Sequence, residues 1–330
     1  MKHRLLFTGK KFFRMALLLL GVSLAAFLLM SASPLDPLQT NVGQAALGTM
    51  SQEQIARLEE YWGVNEPPLR RYLGWLGDVI RGDLGVSLLY RQPVTQVIGQ
   101  RLQNSLWLMA AAWVLSGLLG LTLGVLAGAR RGRAVDKLIR GWCLLLSSTP
   151  AFWLALVLLM IFAVWLKVLP SGLAVPIGVD AASVTLGDRL YHAVLPALTL
   201  SMTGMPGIAL HTREKMIDVL ESDYVLFARA RGESNRSILL RHGLRNVALP
   251  AITLQFAVIS EIFGGSVLVE QVFSYPGLGQ AAVTAGLGGD LPLLLGITVV
   301  SAAIVFSGNL IADLLYGVVD PKIRRGAARA

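Results

Sequence analysis

Apolar residues in this chain come in long blocks rather than in alternation. Six blocks reach the roughly 20 residues that a helix needs to cross a bilayer. Residues 15–35 hold no charge over 21 positions, 102–129 none over 28, 141–166 none over 26 and 291–312 none over 22. Residues 190–212 are uncharged over 23 positions with His192 and His211 neutral, and 246–269 carry one charge in 24, at Glu261. The pattern predicts an all-α integral membrane protein with six transmembrane helices.

The segments between the blocks differ in kind. In 36–101, Ser51 followed by Gln54 has capping-box spacing, which predicts a short helix running to Tyr61. Pro67-Pro68 ends that unit, and Leu69, Leu73, Leu76 and Ile80 then recur at helical spacing. This small domain is either a spacer over the outer mouth or a docking surface for a soluble binding protein. Residues 168–179 are apolar but broken by Pro170, Gly172, Pro176 and Gly178, which predicts irregular chain at the outer surface. Residues 271–289 are uncharged and rich in glycine, and predict an outer loop in preference to a re-entrant element.

Charge orients the spans. Lys2, Arg4, Lys10, Lys11 and Arg14 precede the first block, and Arg130, Arg131, Arg133, Lys137 and Arg140 lie between the second and third. Arg213, Lys215, Arg229, Arg231, Arg236, Arg241 and Arg245 lie between the fourth and fifth, and Lys322, Arg324, Arg325 and Arg329 follow the sixth. Excess Lys and Arg marks the cytoplasmic side, so both termini are predicted inside. The chain then divides into 1–35 (cytoplasmic start and first span), 36–101 (extracytoplasmic domain), 102–320 (membrane core, with a cytoplasmic loop at 213–249) and 321–330 (cytoplasmic tail). The first span has a second reading as a cleavable signal, with Ser31-Ala32-Ser33 at its end. Its uncharged run exceeds the usual apolar stretch of about 7–15 residues.

Composition agrees. Charged residues make up 15% of the chain, against about 25% in soluble domains. The net charge of +9 is used up by the loops, and no soluble basic fold is left for nucleic acid. The single cysteine, Cys143, allows no internal disulfide and no cysteine metal site.

The loop at 213–249 is the longest one predicted inside. Val225, Ala228, Ile238, Leu239 and Leu244 alternate with arginines, Gly232 has the character of a helix C-cap and Ser234 that of an N-cap. The prediction is helix, sharp turn, short second helix, with Pro250 at the first turn of span five. Such a pair is either a lever moved by a partner or an amphipathic surface on anionic lipid. No phosphate-binding G-x-x-x-x-G-K-[ST] loop is present, so a lever would draw its energy from another chain.

The run Ala228-Arg-Ala-Arg-Gly232, His242, Leu244-Arg245-Asn246 and Leu249-Pro250 resembles the glycine-centred coupling loop of binding-protein-dependent ABC importer permeases. More narrowly it resembles the dipeptide/oligopeptide/nickel branch. The likeness extends to Gly82-Asp-Leu-Gly-Val-Ser87, Thr149-Pro-Ala-Phe-Trp-Leu154, Leu169-Pro170, His192-Ala-Val-Leu-Pro196, Phe273-Ser-Tyr-Pro-Gly-Leu-Gly279, Asp313-Leu-Leu-Tyr316 and Val319-Asp-Pro-Lys-Ile-Arg324. The broader motif has Glu-Ala-Ala six residues before its glycine. Here Leu226, Phe227 and Ala228 stand there, so only the alanine fits. The resemblance implies a second homologous permease subunit, two ATP-binding subunits, an extracytoplasmic solute-binding protein and location in the inner membrane. It implies an ATPase-coupling site at Tyr224, Ala228, Ala230, Gly232, Leu239, Arg241, His242, Arg245, Asn246 and Pro250. ATP would be used by partners, with no cofactor on this chain and no catalytic residues.

Glu261 is the only carboxylate well inside a predicted span, beside Gly264-Gly265. A charge there faces a pathway or a partner. It reads either as a pathway residue favouring cationic cargo or as a carboxylate neutralised at an interface. Met202 joins it as a candidate pathway residue, with packing as its other reading. The histidines are too spread along the chain for one metal site. An ion-coupled secondary transporter is the alternative function, but it predicts inverted repeats and several buried charges. Whether the cargo is a peptide, nickel or a metal chelate is left open.

Overall fold

The structure is a computed structural model describing residues 2–32, 47, 50–61, 67–176, 178 and 183–319. The helices are α1 (Lys2–Ser31), α2 (Gln52–Tyr61), α3 (Pro68–Ile80), α4 (Val94–Ala129), α5 (Ala134–Ser147) and α6 (Ala151–Leu158), the last continued by a π-helical turn at Leu159–Trp165. Then come α7 (Leu186–Leu220), α8 (Asp223–Ala230) and α9 (Asn235–Ile238), a second π-helical turn at Leu239–Leu244, α10 (Arg245–Val272), α11 (Leu278–Leu287) and α12 (Leu291–Val319). The tail at 321–330 and, apart from Val319, the motif ending at Arg324 lie outside the described residues.

Among the described residues, five helices are long and apolar enough to cross a membrane, and α5 with α6 makes a sixth if that bent pair is one span. The bend is 111° and corrects the expectation of one straight helix over 141–166. Pro150 has no N–H to continue the ladder and disfavours a helical Thr149. The hydroxyls of Ser147, Ser148 and Thr149 donate to the carbonyls of Cys143 (2.8 Å), Leu144 (3.1 Å) and Leu145 (2.8 Å). Three side chains therefore supply hydrogen bonds where the helix stops.

The chain divides into two compact units, residues 1–104 with 277–306, and 105–276 with 307–330. In the first, the predicted capping box forms in both directions, Gln54 N to Ser51 Oγ (3.2 Å) and Ser51 N to Gln54 Oε1 (3.0 Å). Helix α3 starts at Pro68, one residue after Pro67. Phe27 of α1, Tyr72 of α3 and Leu295 of α12 form a buried cluster. The run at 82–87 makes a tight turn with positive φ at Gly82 and Gly85. Asp290, fully buried, accepts from Ser87 Oγ (2.5 Å), Leu89 N (3.1 Å) and Leu293 N (3.2 Å). One carboxylate thus caps α12 and fastens the turn to it.

Helix α11 corrects the outer loop expected at 271–289. Its alanines favour helix despite the surrounding glycines. It ends when Asp290 N donates to Ala285 O at 2.9 Å across Gly289, whose φ is +69°.

The second unit is organised on α7. Gly120, Gly124 and Gly128 of α4 face it so closely that an added Cβ would stand 2.7 Å from Ile208 Cβ, 2.6 Å from Ala209 O and 2.6 Å from Met216 Cβ. Small residues at this spacing let two membrane helices approach. Gly204 of α7 faces Ser116 of α4 and Val258 of α10. Helices α4 and α10 are clamped: Trp113 Nε1 donates to Gln255 O at 2.7 Å, and Gln255 Nε2 donates to Trp113 O. The irregular stretch after α6 is anchored by Leu173 N to Phe273 O (2.8 Å) and by His192 Nδ1 against Gly172 O (2.8 Å).

Candidate coupling site and pathway face

The segment at 213–249 begins where α7 ends. Helix α8 closes with two hydrogen bonds, Gly232 N to Arg229 O at 2.9 Å and Glu233 N to Ala228 O at 3.1 Å. That pair requires a left-handed residue between them, and Gly232 supplies φ +83° without a Cβ penalty. Ser234 Oγ then accepts from Ser237 N at 3.3 Å and starts α9. Val225 and Ala228 of α8 are buried with Ile238 of α9 against Val219 and Leu220 at the end of α7. The turn is therefore a small packed body.

The expected separate second helix is corrected here. Helix α9, the π-helical turn and α10 run on as one helical stretch, Asn235–Val272. Pro250 lies inside α10 rather than at its first turn, and its missing N–H removes one ladder bond without ending the helix. Gly243 does not break the run either; it is buried where a Cβ would stand 2.9 Å from Met216 Sδ of α7.

Three candidate residues come together at this corner. Glu233 Oε2 accepts from Ser237 Oγ at 3.2 Å and stands 3.5 Å from His242 Nε2. Tyr224 places its ring 6.0 Å from that of His242, and Asn246 Nδ2 donates to His242 O at 2.6 Å. Ala230, Gly232, Arg241 and Arg245 are exposed, Leu239 and Pro250 are half-buried, and Ala228 faces the body's own core.

The most exposed apolar side chains of the corner are Leu226 (66%), Phe227 (70%) and Leu240 (62%). Sequence reasoning passed over them because two occupy the unmatched motif positions. The signal was present: once Val225 and Ala228 turn inward, 226 and 227 must point away. Arg213, read only as a topology charge, makes a bidentate pair with Asp136 (Nε 2.5 Å, Nη2 2.9 Å). Asp136 also accepts from Gly132 N at 2.8 Å, and Arg131 pairs with Glu221. The 130–133 turn is thereby tied to the last turns of α7.

The pathway candidates separate. Glu261 and Gly264 lie on the exposed face of α10, and Gly264 has nothing within 4 Å of an added Cβ. Glu261 makes no hydrogen bond or ion pair among the described residues. Gly265 turns toward Leu200 of α7, and Met202 packs against the main apolar cluster. Because α10 extends to Val272, a second carboxylate joins the span, correcting the reading of Glu261 as the only one there. Glu270 is fully buried and accepts from Ser105 Oγ at 2.6 Å. Nearby Tyr275 is pushed up from its ordinary pKa, chiefly by burial and then by the Glu270 charge.

Residues 120–325, from within α4 through the corner and past α12, match the family described as the inner membrane component of binding-protein-dependent transport systems. The chain belongs to that family. This permease is a multi-pass inner-membrane protein. It is 38% identical over 309 residues to the oligopeptide transport system permease protein AppB of Bacillus subtilis (strain 168), covering 93% of this chain and 95% of that one. It is 31% identical over 323 residues to the dipeptide transport system permease protein DppB of Escherichia coli (strain K12), covering 92% and 94%. A putative peptide permease of Brucella suis is 35% identical over 309 residues, covering 93% and 95%.

Proposed function

We propose that this permease subunit carries peptides inward, driven by ATP hydrolysed on two partner subunits, beside a second homologous permease and below an extracytoplasmic solute-binding protein. The observation that supports it most is the apolar face of Leu226, Phe227 and Leu240, held on a packed corner continuous with α10. Water-exposed apolar residues of this size on a rigid element suit a protein partner. A push on the corner would enter α10 directly and α7 through Val219, Leu220 and Met216. Closure of the ATPase pair would then reorient both spans together. The names of the relatives above favour peptides over nickel as the cargo.

Glu261 suits the same reading. A carboxylate with no partner among the described residues, on the exposed face of a spanning helix, is costly in lipid and is favoured in an aqueous pathway. There it would attract the amino terminus of a peptide. The test is reconstitution of this permease with its partner subunits in proteoliposomes, measuring uptake of labelled peptides with and without ATP. ATP-dependent peptide accumulation is expected. Uptake without ATP, or purification without any ATPase, would overturn the importer, and nickel uptake in place of peptide would overturn the cargo.

A further inference from the structure

Helix α3 carries an apolar stripe that no other element covers among the described residues. At 100° per residue, Leu69, Leu73 and Ile80 fall within one narrow arc, and they are 65%, 57% and 79% exposed. The adjoining arc, with Tyr72 and Trp75, packs against α1 and α12. Arg70, Gly74, Asp78 and Arg81 share the third side, and Arg81 pairs with Asp78. A helix in open water would gain nothing from two apolar faces.

Its depth explains the second face. Tyr72 Oη is 2.9 Å from Ser23 Oγ and donates to Leu20 O at 3.3 Å. Both partners lie inside the apolar span Phe13–Ser31. Ser23 is eight residues before Ser31, about 12 Å along the axis at 1.5 Å per residue. Tyr72 therefore reaches the middle of the α1 span, and its packing on Phe27 sets α3 toward the Ser31 end, where Leu24, Leu28 and Leu29 of α1 are also exposed. We propose that α3 is an interfacial helix, seated in the outer leaflet with Leu69, Leu73 and Ile80 among the acyl chains and Arg70 and Arg81 at the phosphates. Amphipathic helices seat their apolar side about 5–10 Å into that boundary, and long arginines reach back to the headgroups. A soluble binding protein fits less well, because it would leave the stripe in water whenever it departs.

The experiment uses the full permease complex in phospholipid nanodiscs. A nitroxide is attached at Leu73→Cys or Gly74→Cys in a Cys143→Ala background. The expected result is that the label at 73 meets oxygen several-fold more readily, relative to chromium oxalate, than the label at 74. Equal access of chromium oxalate to both sites would overturn the proposal, as would protection at 73 that appears only when the solute-binding protein is added. A label-free check is Leu73→Trp with brominated phospholipids. Extra quenching over the parent chain is expected, and its absence would count equally against the outer leaflet.

Discussion

Gly243 and Met216 meet with no room for a methyl group between them. A Cβ at 243 would stand 2.9 Å from Met216 Sδ and 3.2 Å from its Cε, while Gly128 crowds the same methionine from α4. Met216 is fully buried, so its side chain is pinned from both directions. The corner that would receive a partner's push is thus in direct register with α7.

Gly243→Val is expected to force α9 and the π-helical turn away from α7. Overpacking of a tight contact costs about 1–3 kcal/mol, which would appear as a lower apparent Tm of the purified complex. Peptide uptake per ATP hydrolysed should fall as the two spans cease to move together. Gly141→Ala, at an exposed helical site with nothing within 4 Å of the added Cβ, is the matched control and should change neither quantity. A Gly243→Val complex with parental uptake would show that the contact is dispensable.

Gly232→Val should separate insertion from coupling. A side chain at φ +83° costs about 1–2 kcal/mol, and a β-branched one is the least tolerant. The closure of α8 would open without touching any span. Membrane levels should stay at the parental value, ATP hydrolysis should continue, and uptake should drop several-fold. Asn, which accepts the left-handed region, should restore much of the uptake where Val does not. Equal behaviour of Asn and Val would remove backbone conformation as the cause.

Gly124→Val tests how α4 and α7 are held together. Its Cβ would stand 2.6 Å from both Ala209 O and Thr212 Cβ, and backbone cannot rotate aside as a long side chain can. The expected outcome is a fall of several degrees in the thermal midpoint of the detergent-solubilised complex, larger than for Gly141→Ala. A silent Gly124→Val would mean that the two helices tolerate a wider spacing.

What the sequence revealed of this fold was mostly local. The capping box at Ser51, the left-handed closure at Gly232 and the cap at Ser234 depend on residues within three or four positions, and all form as the spacing predicts. The break at Pro150 was masked because hydropathy counts residues and ignores a missing donor. Helix α11 was hidden by its glycines, of which Gly277, Gly288 and Gly289 flank it while Gly279 and Gly286 are carried within it. The inward turn of Ala228 and the outward turn of Leu226 and Phe227 depend on which face meets α7 and α9, a long-range fact that a linear motif does not encode. Glu270 was missed for a related reason: the boundary of α10 was drawn three residues too early, on the near side of its buried carboxylate.

Glu270 and Glu261 occupy one helix with opposite surroundings, and that contrast sharpens the prediction for Glu261. Glu270 is enclosed and bonded to Ser105, so its replacement disturbs folding. Glu261 is exposed and unbonded among the described residues, so Glu261→Gln keeps its shape and removes only the charge. Membrane levels and thermal midpoint are expected to match the parent. Uptake of peptides with a free amino terminus should fall, on the order of tenfold if about 1.4 kcal/mol of charge attraction is lost. Uptake of amino-acetylated peptides, slower in the parent, should be unaffected. A Glu261→Gln complex that still prefers the free amine by the parental ratio would take Glu261 out of the pathway and assign it to the face that meets the second permease subunit.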